Sequence, residues 1–224
     1  MNSEKKTARI VGVLILTALA SVMLNGALLG ALTEPDYLGA FSATENQVLI
    51  AVLLEFTLIV SVVSIPIMMF PIFKKYNESL ALGYVVARVF EGFSDFILAI
   101  SWLLLVTLGN ESVKAGAAAP SYFQASGALL VGLYDWVGVL ENIPYCLGVL
   151  IFSYLLYQNK LVPRWLSAWG IIGAMMLLTR VPLSWFVFDP LSTSILAIPI
   201  VVNEVVLAVW LIVKGFDSSA TIFE

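Results

Sequence analysis

The sequence predicts an all-α integral membrane protein, a bundle of six transmembrane helices with the N-terminus and the C-terminus in the cytoplasm. Hydrophobic residues make up 61% of the 224 residues and charged residues 12%, with a mean hydropathy of +1.00; soluble domains have about 45–50% apolar residues. Apolar stretches of bilayer length recur with little polar sequence between them, which indicates a single membrane domain over residues 1–224.

Six stretches reach the roughly 20 apolar residues that a helix needs to cross a bilayer. In chain order, the predicted spans are residues 8–32, 46–73, 80–108, 126–157, 164–186 and 194–214. The first stretch is long and has no small-residue cleavage site before a hydrophilic chain, so we expect it to stay as an anchor and not to be removed as a signal peptide.

The basic residues predict the orientation of these spans. Cytoplasmic loops of membrane proteins carry an excess of Lys and Arg. Lys114 is the one basic residue in the loops that follow spans 1, 3 and 5, whereas the alternate ends hold many. These are Lys5, Lys6, Arg9, Lys74, Lys75, Lys160, Arg164 and Lys214. Both termini are therefore predicted to face the cytoplasm.

Composition also excludes several kinds of site and partner. The chain has no histidine, so haem held by histidine, His-ligated zinc and His-dependent nucleophiles are ruled out. A formal charge of −4 argues against a nucleic-acid partner, which needs a basic surface. The expected partners are the lipid bilayer and a small-molecule or cation ligand. Homo-oligomerisation stays open.

Charged side chains inside the predicted spans are the strongest functional signal. Each costs about 2.5–3.5 kcal/mol to insert, so each needs a partner or a function. The acids are Glu55, Glu91, Asp95, Asp135, Glu141 and Glu204, the bases are Arg88 and Arg180, and Asn25, Asn142 and Asn203 accompany them. Two arginines neutralise two acids. The other four must be protonated, be reached by water or hold a bound cation.

Helical spacing predicts that these residues face the interior. In span 3, Tyr84, Arg88, Glu91, Asp95 and Trp102 fall within a sector of about 60°. In span 4 a polar sector of about 120° contains Tyr134, Asp135, Gly138, Glu141, Asn142 and Tyr145. Gly138 is expected to allow close approach of a helix or ligand.

Helical rise sorts the polar residues into two layers. Arg88, Glu91, Asn203 and Glu204 fall at about 12–17 Å from the cytoplasmic end. At about 22–27 Å lie Asn25, Glu55, Asp95, Glu141, Asn142 and Arg180, with Asp135 nearer the outer rim. We expect Arg88 to pair with Glu91 and Glu204, and Arg180 to pair with Asp95, Glu141 or Glu55.

The predicted ligand-binding residues combine both layers. They are Arg88, Glu91, Asp95, Glu141, Asn142, Asn203 and Glu204, with Asn25, Glu55, Asp135 and Arg180 as secondary candidates. The sequence contains no nucleophile or metal-binding motif with diagnostic spacing, so we predict no metal site, and catalytic residues are left unassigned.

Four segments resemble a bacterial membrane protein family of unknown function, DUF4386. They are the Ala8-Arg9-Ile10-Val11-Gly12 start, Arg88-Val89-Phe90-Glu91, the run from Leu161 through Val162-Pro163-Arg164-Trp165 to Gly170, and Asn203-Glu204 with Trp210 to Phe216. The resemblance covers nearly the whole chain. It implies this membrane fold and a place in the bacterial cytoplasmic membrane, but it implies no activity.

Three functions fit the sequence. The first is a carrier or receptor that binds or translocates a small polar, cationic or proton-linked solute. The second is an intramembrane enzyme that uses carboxylates as general acid and base or to hold a divalent cation such as Mg²⁺. The third is a structural or partner-binding protein, in which buried polar groups serve only as hydrogen-bond contacts between helices, worth about 0.6–2 kcal/mol each.

Overall fold

A computed structural model describes residues 3–29, 37–116, 120–186 and 195–217, and these form helices and short connections. Six helices in this part of the chain are long and apolar enough to cross a membrane, which confirms the predicted all-α bundle of six membrane-spanning helices. The elements are α1 (Ser3–Leu29), α2 (Tyr37–Ala43), α3 (Glu45–Phe73), α4 (Glu78–Ala115), α5 (Pro120–Leu140), α6 (Asn142–Gln158), α7 (Arg164–Phe186), a 3₁₀ turn (Ile195–Ala197) and α8 (Ile198–Val213).

The spanning helices pack as a closed ring in chain order. Helix α1 packs on α3, α3 on α4, α4 on α6, α6 on α7 and α7 on α8, and α8 returns to α1. Gly12 permits the closing contact, because a Cβ atom there would lie 2.7 Å from the carbonyl oxygen of Ala208 on α8. A ring of six helices leaves a central space, and the polar faces of the helices line it.

One end of the ring gathers the helix connections that carry most of the basic residues. We call it the basic end and define it by Lys5, Lys6, Lys74, Lys75, Lys160, Arg164 and Lys214. Lys75 pairs with Glu4 at 3.1 Å, and the backbone N–H of Asp217 donates to the carbonyl of Leu161 at 2.9 Å. The start of α1, the two turns and the end of α8 therefore meet at this end.

Local capping explains the two turns at the basic end. The side chain of Asn77 accepts a hydrogen bond from the backbone N–H of Leu80 at 2.9 Å, which starts α4. After α6, Lys160 adopts a left-handed backbone with φ 53°, which ends that helix. Short turns of this kind keep consecutive helices antiparallel.

The fourth span, predicted over residues 126–157, consists of two helices in the structure. It is interrupted at Glu141, between α5 and α6. Pro144 has no N–H for the carbonyl of Leu140, and its ring crowds that carbonyl. The side-chain amide of Asn142 donates instead to the carbonyls of Gly138 at 2.9 Å and Val139 at 3.0 Å. The proline and the amide together explain the break.

Several predicted boundaries also change. Helix α4 runs to Ala115 and α5 begins at Pro120, beyond the predicted limits of 108 and 126. Pro199 lies in the first turn of α8, where its missing N–H leaves no gap in the helix. Residues 30–32 and 194 of the predicted spans lie outside the described residues.

The short helix α2 was not predicted. Leu38 and Phe41 of α2 are buried against α4, and Gly109 of α4 has no side chain where the carbonyl of Leu38 sits. Its seven residues are too few to show a clear helical period in the sequence. The helix covers part of the ring at the end opposite the basic end.

The half of the bundle at the basic end is closely packed. Phe73, Tyr84 and Phe152 meet with ring centroids 5.3–5.9 Å apart. All three side chains are nearly inaccessible, and so are Leu155, Leu156 and Leu211 around them. This core closes the central space toward the basic end.

Candidate functional site: an acidic cavity within the bundle

Helix α4 places a charged stripe on the interior of the ring. Arg88, Glu91 and Asp95 are 4–6% exposed, whereas Phe90 and Phe93 between them are 60–61% exposed. The spacings of three and four residues bring the charged side chains to one face, as helical periodicity requires. The hydrophobic residues between them face outward, toward lipid.

The smaller of two main cavities lies beside this stripe and is lined by all three of its charged residues. It has a volume of about 190 Å³ and receives side chains from α1, α3, α4, α6, α7 and α8. Its polar lining consists of Arg88, Glu91, Asp95, Glu141, Asn142, Tyr145 and Glu204. We call it the small cavity.

The larger cavity has a volume of about 590 Å³ and lies between α1, α2, α3, α4 and α5. Its polar lining consists of Asn25, Tyr37, Glu55, Trp102, Asp95, Tyr134, Asp135 and Glu141. We call it the large cavity. Val22, Leu58, Asp95 and Glu141 belong to both walls, so the two cavities meet beside these two carboxylates.

The central space narrows toward the basic end. Beyond the small cavity lies a space of about 30 Å³, bordered by Tyr84, Arg88, Asn203 and Glu204. That volume is about the share of one water molecule. The packed aromatic core at Phe73, Tyr84 and Phe152 follows directly, so the widest part of the space is at the opposite end.

Arg88 is the central cation of the small cavity. Its Nη1 lies 2.9 Å from Glu91 Oε2, which forms the predicted ion pair one helical turn apart. Its guanidinium carbon lies 5.6 Å from the ring centroid of Tyr145, within cation–π range. Gly148 makes room for the chain, since a Cβ atom there would lie 2.8 Å from Arg88 Cδ. Within the described part of the chain, Nε of Arg88 has no hydrogen-bond partner.

Glu204 and Glu55 are held by neutral donors. The hydroxyl of Tyr145 donates to Glu204 at 2.8 Å, and the amide of Asn25 donates to Glu55 at 2.5 Å. The ion pair expected between Arg88 and Glu204 is not formed. Tyr145 takes that place, because its hydroxyl reaches the carboxylate across α6 and α8.

The junction of the two cavities contains unpartnered carboxylate oxygens. Asp95 Oδ2 and Glu141 Oε2 are buried atoms that receive no hydrogen bond from any described residue. Buried polar atoms are normally paired, because an unpaired one costs about 1–3 kcal/mol. An unpaired carboxylate oxygen beside a cavity is therefore a candidate ligand-binding atom.

Comparison with known protein families assigns the chain to one family. The sequence model of one family, the domain of unknown function DUF4386, matches residues 10–215, which is nearly the whole chain. The chain belongs to the DUF4386 family. Comparison with curated proteins and with solved structures found no match to this DUF4386 chain.

Not every predicted site residue of this DUF4386 protein reaches the cavities in the same way. Arg180 is half-buried, lines neither cavity and has no carboxylate of the described residues within ion-pair distance. Its expected pairing with Asp95, Glu141 or Glu55 is therefore not formed. Asp135 lines the large cavity but is exposed on the poorly covered helix α5.

Two predicted amides have local partners. Asn142 donates to carbonyls of its own helix, as described above, and Asn203 donates to the carbonyl of Leu166 at 2.9 Å, joining α8 to α7. Gly138 was expected to admit a close neighbour, but no described atom outside its own helix lies within 4 Å of where its Cβ atom would be. Its carbonyl, not its small size, has the structural role, because it receives the Asn142 amide.

Aromatic residues complete the DUF4386 cavity and were not among the predicted site residues. Trp102 and Tyr134 line the large cavity with ring centroids 6.1 Å apart. Both fell within the predicted polar sectors, so the helical spacing already pointed to them. Tyr37 and Phe41 come from the unpredicted helix α2, and the sequence pattern held no comparable signal for them.

Metal binding has no support in the described residues. Within residues 3–29, 37–116, 120–186 and 195–217, no three acidic or cysteine side chains lie close enough together to hold a metal ion. The single cysteine, Cys146, is buried in α6. The carboxylates surround a cavity and do not converge on one point.

Proposed function

We propose that this protein binds a small cationic solute within the bilayer, in the cavities that the ring of helices encloses. The observation that carries the proposal is the charge of the cavity lining. Six acids, Glu55, Glu91, Asp95, Asp135, Glu141 and Glu204, line the two cavities together with one arginine. Acids at membrane depth face interior cavities and accompany ion or substrate pathways in many membrane proteins.

The cavity dimensions support a small solute. Ligand pockets commonly have volumes of about 300–1,000 Å³, with mostly apolar walls and a few convergent polar groups. The large cavity, at about 590 Å³, falls within that range. Its lining combines carboxylates with apolar residues such as Leu98 and Leu105.

A purely structural role fits these features less well. Carboxylates that only join helices are expected to be satisfied by protein donors, and Asp95 and Glu141 each keep a buried oxygen without a described partner. Two small residues of α7 are used for contacts inside the ring. Gly170 faces Ser153 and Asn203, and Gly173 faces Ile200.

A binding experiment tests the proposal. The protein in lipid nanodiscs is equilibrated with radiolabelled tetramethylammonium between pH 5 and pH 8, with empty nanodiscs subtracted. We expect saturable binding, which Glu141→Gln and Glu204→Gln abolish or make independent of pH. Glu111→Gln, at an exposed position at the far end of α4, is the matched control. Binding and pH profiles that are identical in all variants would contradict the proposal.

We also propose that the basic end faces the cytoplasm, as the positive-inside rule favours. Lys160 is exposed at the basic end and Lys114 is exposed at the opposite end. We expect a membrane-impermeant maleimide to label Lys114→Cys, and not Lys160→Cys, in spheroplasts of a bacterial host. Cys146, which is fully buried, serves as the unlabelled internal control. The reverse pattern of labelling would reverse the orientation.

A further inference from the structure

The large cavity is chemically divided along its length. Asp95 and Glu141 lie where it meets the small cavity, and Glu55 also lines the large cavity. On α4, Leu98, Trp102 and Leu105 continue the same wall away from the basic end. By helical rise they stand about 5, 10 and 15 Å beyond Asp95. The cavity therefore has an acidic floor and a mainly apolar wall above it.

The floor offers free acceptors. Asp95 is 4% exposed, and its Oδ2 atom receives no hydrogen bond from a described residue. Glu141 presents a second buried oxygen in the same condition. Glu55, in contrast, is already held by Asn25 at 2.5 Å. Asp95 and Glu141 are thus the acids best placed to receive a charged group.

The wall offers aromatic and apolar surface. Trp102 and Tyr134 approach each other from α4 and α5 at an angle of 45°, and Phe41 adds a third ring from α2. Aromatic faces attract organic cations by about 0.5–2 kcal/mol, and apolar walls favour the apolar part of a solute. A small hydrated ion would gain little from such a wall.

The small cavity already contains a cation. Arg88 lies against Glu91 and the ring of Tyr145, and the space left beside it is about 190 Å³. A solute cation placed there would meet the guanidinium at close range. The charged group of a solute is therefore best accommodated where the two cavities meet, beside Asp95 and Glu141 and farther from the basic end than Arg88.

We infer that the solute is an amphipathic organic cation, with its charged group against Asp95 and Glu141 and its apolar body between Trp102, Tyr134 and Phe41. This inference rests on the proposed function and specifies its substrate class. The two carboxylates select the charge, and the wall selects the apolar body. The other two acids of the small cavity are already held, Glu91 by Arg88 and Glu204 by Tyr145.

Three probes separate charge from apolar character. The protein in nanodiscs is dialysed against tetraphenylphosphonium, against tetramethylammonium, and against neutral triphenylphosphine oxide, with empty nanodiscs subtracted each time. We expect tetraphenylphosphonium to bind at least about tenfold more tightly than tetramethylammonium, a difference of about 1.4 kcal/mol. Triphenylphosphine oxide is expected to bind at least about tenfold more weakly than the phosphonium.

Variants assign the two parts of the cavity. Asp95→Asn and Glu141→Gln are expected to weaken tetraphenylphosphonium binding by at least about tenfold. Trp102→Leu is expected to weaken binding of the phosphonium by a larger factor than binding of tetramethylammonium. Glu111→Gln remains the control. Because Asp95→Asn is buried and can impair folding, Trp102→Leu and Glu141→Gln keep the test independent of that one variant.

The outcomes distinguish the two proposals. If tetramethylammonium binds at least as tightly as the phosphonium, or if the neutral oxide binds equally well, the inferred solute class is wrong and the proposed cation binding stands. If the phosphonium binds equally to wild type, Glu141→Gln and Trp102→Leu, the inferred placement is wrong. If neither cation binds in excess of empty nanodiscs, both proposals are overturned.

Discussion

The two halves of the bundle are built from the same six helices but differ in how they fill the space between them. At the basic end, Phe73, Tyr84 and Phe152 pack ring against ring with almost no exposure. In the opposite half, Glu55, Asp95 and Glu141 surround cavities. The comparison indicates that the packed half stabilises the ring, which allows the other half to contain polar cavities in place of a packed core.

The largest expected effect concerns the packed half. Replacing Phe152 with alanine removes contacts with Phe73 and Tyr84, so we expect a loss of about 3–5 kcal/mol in the free energy of unfolding. Leu98→Ala, beside the large cavity, is the matched comparison and should cost about 1 kcal/mol, because part of its surface already faces empty space. Reversible unfolding in mixed detergent and dodecyl sulfate micelles measures both. Equal losses would remove the distinction between the halves.

Arg88 lies at the boundary between the halves. We expect Arg88→Met to cost about 3–5 kcal/mol, because Glu91 would remain as a buried charge without its partner. The double variant Arg88→Met with Glu91→Met should recover much of this loss in the same unfolding measurement. If the double variant is as unstable as Arg88→Met alone, the ion pair is not the reason for the instability.

Gly148 provides space for the Arg88 side chain. Gly148→Ala would place a methyl group 2.8 Å from Arg88 Cδ, so we expect a loss of about 1–3 kcal/mol. The control is Gly132→Ala on α5, where no described atom outside the helix lies within 4 Å of the new methyl. There we expect no loss of stability, since alanine favours helix by up to about 1 kcal/mol. Similar melting temperatures for the two variants would contradict this account.

The smallest expected effect is at the surface of the basic end. Lys74 and Glu78 form an ion pair at 2.9 Å, but both side chains are more than half exposed. Exposed pairs contribute about 0.2–1 kcal/mol, so Glu78→Gln should change the unfolding free energy by about 0.5 kcal/mol or less. A loss comparable with that of Arg88→Met would show that surface charges, and not the buried pair, stabilise this half.

Much of this architecture followed from the sequence alone because membrane insertion imposes strong rules. Length and hydropathy determined the six spanning helices, and helical periodicity determined that Arg88, Glu91 and Asp95 share one face of α4. Residues three and four positions apart must lie together on a helix, so the ion pair between Arg88 and Glu91 needed no tertiary information. The family resemblance, too, rests on residues in the sequence and agrees with the match over residues 10–215.

Only the tertiary structure decided which helices meet, and therefore which acids acquire partners. Glu204 accepts a hydrogen bond from the hydroxyl of Tyr145 and forms no ion pair with Arg88, because the packing of α6 against α8 sets the distance between Tyr145 and Glu204. Arg180 forms no ion pair with a described acid although it lies near enough to Glu141 for an electrostatic interaction, since predicted depth along a helix says nothing about direction around the ring. The short helix α2 likewise depends on its contacts with α4, whereas the break at Glu141 follows from Pro144 and Asn142, which are close to it in the sequence. The sequence determined the acids and their positions along the helices, and the packing of the ring determined that they line two adjoining cavities.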